Sequence, residues 1–105
     1  MLVFRLKKVW FDKIKSGEKT HEYRKMTSYW KKRIYNAIEL AKKGGYDLEC
    51  LLTSGYPGPN EKDRILKASI ITIIQNIDGK TTDLKCDEPV FDIEIRLKEQ
   101  EKWSH

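Results

Sequence analysis

The side chains best able to do chemistry lie close together in Ser16-Gly17-Glu18-Lys19-Thr20-His21-Glu22-Tyr23-Arg24. The stretch after Gly17 alternates as a strand does. Thr20, Glu22 and Arg24 then share one face, and His21, Tyr23 and Lys25 share the other. A carboxylate and a guanidinium two residues apart on one strand face can share a pocket. They can equally form a surface ion pair that contributes little to stability. A lysine beside a carboxylate can act as a base if burial lowers its pKa. Beside a phosphate the same lysine is a charge clamp. Arg24 offers a planar fork that matches a phosphate or a base edge. Glu22 either holds that fork in place or accepts a hydrogen bond from a base amino group. His21 faces away from Glu22 in a regular strand and is not recruited.

Two further candidates come from later in the chain. Arg33 lies one position off an apolar helical stripe, where it can reach back toward Glu22. The segment Thr53-Ser54-Gly55-Tyr56-Pro57-Gly58-Pro59-Asn60 is punctuated as a rigid loop. Such a loop can present Tyr56 for stacking on a base; folding down as a lid on the core is the alternative. No zinc spacing, Ser-His-Asp order, phosphate loop or dinucleotide fingerprint is present. No metal or cofactor is therefore expected.

The elements that must position these residues read as follows. Leu2 to Lys7 is a strand, and Val9 to Lys15 a short helix with Trp10 and Ile14 on its apolar stripe. Gly17 suits the left-handed position past that helix. The strand Thr20 to Met26 follows, and Thr27 or Ser28 caps a second helix from Tyr29 to about Lys43. Trp30, Ile34, Ala37, Ile38 and Ala41 form its apolar face, with Trp30 and Tyr35 most simply read as packing residues. Gly44-Gly45 ends it. Asp47 to Leu52 is a third strand. Ile65 to Ile77, apolar on both faces, reads as a central strand with a bulge. There Leu66, Ala68, Ile70, Thr72 and Ile74 share one face and Ile71 and Ile73 the other. Asp78-Gly79 turns into a polar connection, and Phe91, Ile93, Ile95 and Leu97 mark a half-buried last strand. Two early helices among about five or six mixed strands imply an α+β fold with a small β-barrel.

Composition bounds the rest. The chain has 105 residues, of which 39% are hydrophobic and 35% charged, so one globular domain over residues 1–105 is expected. The mixed-sign carboxy-terminal tail from about 99 is expected to fray. No apolar run approaches the length of a membrane span, and Met1 to Arg5 turns polar at once. Membrane partners are not expected, and the cytoplasm is the expected location. Cys50 and Cys86, far apart, read as reduced thiols. A formal charge of +5 and a pI near 9.2, with basic clusters at Lys7-Lys8, Lys31-Lys32-Arg33 and Lys42-Lys43, favour encounter with phosphates.

The run from Val9 to Arg24 resembles the signature of ASCH domains, members of the PUA-like superfamily: an aromatic-led helix, then G-x-K-T-x-E-x-R. Thr27-Ser28-Tyr29-Trp30-Lys31-Lys32-Arg33 resembles the form common in small stand-alone and phage-borne members. Ser54-Gly55-Tyr56 resembles their later small-Gly-Tyr loop. The likeness covers roughly the first three-quarters of the chain. It implies a PUA-like barrel with two helices beside it and a basic cleft between helix and barrel that receives RNA, a nucleotide or a modified base. Lys19, Glu22 and Arg24 would line that cleft, with Thr20 close by. Some relatives are enzymes. One small amidohydrolase acts on an acetylated cytidine with a lysine in the same slot, a threonine three residues later and a remote glutamate. Here that later position is Glu22, which removes the hydroxyl nucleophile. Relatives reported as ribonucleases use a tyrosine, a lysine and a serine, which Tyr56, Lys19 and Ser54 would imitate.

The expectation is thus an RNA- or nucleotide-binding domain whose ligand meets Lys19, Thr20, Glu22, Arg24, Arg33, Ser54 and Tyr56. The alternative is an enzyme acting on a modified nucleoside or on RNA, with Lys19, Glu22 and Tyr56 as its catalytic set. A protein-interaction module is the second alternative.

Overall fold

The computed structural model describes residues 1–98; the tail expected to fray from about 99 lies outside them. Five strands and two helices follow in chain order. They are β1 (Leu2–Leu6), α1 (Lys8–Lys15), β2 (His21–Lys25), α2 (Ser28–Gly44), β3 (Glu49–Ser54), β4 (Ile65–Asp78) and β5 (Pro89–Leu97). The strands form one mixed sheet in the order β1-β3-β4-β5-β2, curled into a half-barrel. β1 runs parallel to β3, and the other pairs are antiparallel. This is the small α+β fold that the element pattern implies. β1 and β2 are the two edges, so the curl is not closed by a continuous backbone ladder.

Helix boundaries follow local chemistry. The Thr27 hydroxyl accepts the Trp30 backbone N–H at 3.3 Å and so caps α2. Gly45 ends the helix at a φ of 65°, a left-handed conformation that costs glycine little. Ile34, on the inner stripe of α2, is fully buried, and both helices lie against β1. Phe4, Leu52, Phe91 and Ile93 are likewise at 0% exposure and form the centre of the core. Phe91, Ile93 and Ile95 all face inward, as their alternation requires.

β4 corrects one expectation. Ile70 pairs with Ile95 and Ile73 with Ile93, so both β4 residues share the inward face of β5. They lie three positions apart where strict alternation allows only an even offset, and the register shifts between Ile70 and Thr72. A bulge there flips the phase of the strand. Thr72 and Ile74, placed with the inner face by simple alternation, are therefore exposed, and Ile73 packs on the core instead. A second shift lies between Ile74 and Ile77, where Asn76 has a φ of 60°. β3 also runs further than expected. Thr53 and Ser54 extend it because they pair with Arg5 and Leu6 of β1.

Both cysteines are free thiols. Cys50 sits in the core, where burial first and the Glu22 carboxylate second push its thiol up to about 12. It therefore stays neutral through mildly alkaline pH. An aromatic disulfide reagent at pH near 8 should titrate only Cys86 in the folded protein, and Cys86→Ser should abolish that reaction. Cys50 should react only on unfolding; fast native-state reaction of Cys50 would contradict the packing described here.

Candidate functional site

Gly17 has a φ of 85°, which turns the chain sharply after α1. The backbone N–H of Lys19 then donates to the Lys13 carbonyl at 3.0 Å, tying the start of the motif to the end of α1. β2 carries Glu22 inward to 5% exposure. Its neighbour on the same face, Arg24, closes a pair with it.

The pair is fully specified. Glu22 Oε2 accepts from Arg24 Nη2 at 2.6 Å and from Arg24 Nε at 3.1 Å. Glu22 Oε1 accepts the Tyr23 backbone N–H at 3.2 Å and lies 3.9 Å from Lys19 Nζ. Arg24 Nη2 also donates to the Arg5 carbonyl at 3.1 Å, reaching from one edge strand to the other. The guanidinium lies 5.1 Å from the Trp30 ring centre and 5.3 Å from that of Phe4. Trp30, expected simply to pack, therefore also forms part of the site. Among the described residues Arg24 Nη1 has no hydrogen-bond partner.

Lys19 is held comparably. Its ammonium donates to Asp83 and lies 5.0 Å and 5.2 Å from the ring centres of Trp10 and Tyr23. Only 12% of its side chain is exposed. Burial chiefly, then the carboxylates of Asp92 and Asp83, push the Tyr23 phenol above its ordinary value of 10.0, so it is a neutral hydroxyl at physiological pH.

These groups line a cavity of about 590 Å³, within the size range of small-ligand sites. Five cationic side chains, those of Arg5, Lys7, Lys19, Arg24 and Lys25, border it against the two carboxylates of Glu22 and Asp83. Trp10 and Trp30 supply aromatic walls. The site thus suits an anionic ligand that also carries a flat apolar group.

Lys19, Glu22 and Arg24 are brought together here, and the remaining candidates are not. Thr20 is exposed and borders a side groove with Glu18 and His21. His21 Nδ1 lies 2.6 Å from Asp92 Oδ1, across the sheet from Glu22. Arg33 stacks on Tyr29 at 4.2 Å and borders a second hollow instead of reaching Glu22. Ser54 is buried, and its carbonyl accepts from Arg64 Nε at 3.1 Å and Nη2 at 2.5 Å. Tyr56 is 80% exposed, with the Arg5 guanidinium 4.1 Å from its ring centre. It neither lids the core nor lines the cavity, so Tyr56, Lys19 and Ser54 do not share one pocket.

Sequence reasoning missed Asp83, Tyr23 and Arg5 as site residues. Asp83 lies in the connection read only as polar, and nothing local marks it as the partner of Lys19, 64 positions away. Arg5 and Tyr23 lie on β1 and β2, strands evident from the sequence pattern, so their adjacency to the motif is the signal that could have found them. Comparison with protein-family models, curated proteins and solved structures finds no match to this chain.

The buried pair makes a stability prediction. Arg24→Ala leaves the Glu22 carboxylate without its strongest partner and should cost about 3–5 kcal/mol in urea unfolding. Adding Glu22→Leu to that variant should restore much of the loss, because the uncompensated charge is gone. Additive losses in the double variant would show that the two side chains do not act as a pair.

Proposed function

We propose that this chain is an RNA- or nucleotide-binding domain that takes a phosphate-bearing base into the cavity around Arg24. The observation that carries the reading is the state of Arg24. It is gripped by Glu22, by the Arg5 carbonyl and by two aromatic rings, while its Nη1 makes no hydrogen bond among the described residues, and it borders a cavity whose charged side chains are mostly cationic. A donor fork held this firmly loses little freedom on binding, so its hydrogen bonds are gained at low entropic cost. Trp10 and Trp30 offer surfaces for a base, and Lys7, Lys25 and Arg5 offer charge to its phosphate. The resemblance of Val9 to Arg24 to the ASCH signature supports the same ligand class, and the half-barrel with helices beside it is compatible with a PUA-like assignment.

Hydrolysis fits the cavity less well. The hydroxyls that border it are those of Tyr23 and Thr27. Thr27 is engaged as the cap of α2, and Tyr23 resists deprotonation. The carboxylate beside Lys19, Asp83, is ion-paired with it. A general protein-interaction face fits less well again, because the Glu22, Lys19 and Arg24 side chains are 6%, 12% and 20% exposed.

The test sets recognition against net charge. Glu22→Gln raises the positive charge of the cavity but loosens the grip on Arg24. Charge alone predicts tighter binding of phosphate ligands; the present reading predicts weaker binding at fixed salt. A panel of short RNAs and modified nucleotides, measured by titration calorimetry on folded variant and parent, decides the sign. Equal or tighter binding by Glu22→Gln would remove Glu22 from recognition. In the parent, RNA affinity should also fall steeply between about 50 and 200 mM salt. An affinity that ignores salt would point to a neutral nucleoside instead.

A further inference from the structure

A second hollow of about 420 Å³ lies beside the first, between the start of β1 and the outer side of α2. Arg5 borders both cavities. They are also joined through aromatic contact: Trp30, in the wall of the first, meets Tyr29, in the wall of the second, edge-to-face at 5.1 Å. The second hollow is lined by Arg33 and Asn36, and among the described residues no carboxylate lines it. Two Arg–Tyr stacks flank the shared wall. Arg33 lies over Tyr29 at 4.2 Å, and Arg5 over Tyr56 at 4.1 Å. Both rings remain open to solvent, at 57% and 80% exposure.

Exposed aromatic rings backed by guanidinium groups, spaced along a cationic groove, are how single-stranded nucleic acid is held without base pairing. Resting on the nucleic-acid reading above, we infer that the second hollow is a subsite for the nucleotide next to the one in the Arg24 cavity. Arg5 receives the phosphate between the two. Tyr29 stacks the neighbouring base, Arg33 neutralises its outer phosphate, and the Asn36 amide faces its edge. The preferred ligand is then a single-stranded oligonucleotide and not a free nucleotide, and a duplex is excluded because its bases are already stacked on one another.

The experiment compares RNA homopolymers about eight nucleotides long with the matching mononucleotides. Parent, Tyr29→Ala, Tyr29→Phe and Arg33→Ala are used; both positions are exposed and lie outside the Arg24 cavity. Mononucleotide affinity should be unchanged in all three variants. Oligonucleotide affinity should drop roughly five- to hundredfold in Tyr29→Ala and be retained in Tyr29→Phe. Arg33→Ala should lower the salt slope of oligonucleotide binding by about one. Parent-like oligonucleotide binding by both Tyr29→Ala and Arg33→Ala would remove the second subsite while leaving the first cavity's reading intact. An equal loss of both ligand types in Tyr29→Ala would assign Tyr29 to supporting Trp30 and would also overturn the subsite. A parent that binds neither ligand would overturn both readings.

Discussion

The site depends on one guanidinium doing three jobs at the seam of a curled sheet. β1 and β2 are the edges of the half-barrel, and an edge strand leaves backbone groups without ladder partners. Arg24 donates across the seam to the carbonyl of Arg5, so a side chain takes the place of a ladder bond there. The same group neutralises Glu22, which β2 has carried into the interior. It also lies over the rings of Phe4 and Trp30, extending the core to the rim. The seam therefore stays open wide enough for a cavity without leaving its backbone or its buried charge unsatisfied.

Much of this was legible in the chain because it rests on local rules. The Thr27 cap, the Gly45 stop and the alternation of Phe91, Ile93 and Ile95 are each set by nearest neighbours along the sequence. So is the placing of Glu22 and Arg24 side by side, since residues two apart on a strand share a face. What escaped was set by distant contacts. The bulge after Ile70 follows from registering β4 on β5, and it reversed the faces of Thr72 and Ile74. Asp83 reaches Lys19 only because the β4–β5 connection folds back over the start of β2. Helical phase alone points Arg33 toward Glu22, but a stack on Tyr29 four residues earlier holds it away from that residue. Ser54 looked like a loop residue until its pairing with Leu6 made it the end of a strand.

The charges of the cavity divide into two groups. Glu22 and Asp83 are spent on Arg24 and Lys19, fixing where those cations stand. Lys7 and Lys25, and the guanidinium of Arg5, stay near solvent, where Coulomb forces are screened. Buried, paired charges and solvent-screened charges are thereby carried by different residues. A change in ionic strength acts on the second set and leaves the geometry of the first nearly untouched.

Stability alone does not account for the buried pair. Removing two charges from water is costly, and well-packed apolar residues in their place are often as stable or more so. The surroundings would accept such a substitution, since Phe4, Trp30 and Cys50 already make the neighbourhood apolar. An apolar pair would fill the seam and remove the guanidinium from the cavity wall. The arrangement present does the reverse. It satisfies both oxygens of Glu22 and two of the three nitrogens of Arg24, and the third nitrogen makes no hydrogen bond among the described residues. The charged pair bridges the two edge strands and at the same time keeps a guanidinium in the wall of the cavity, which an apolar pair would not.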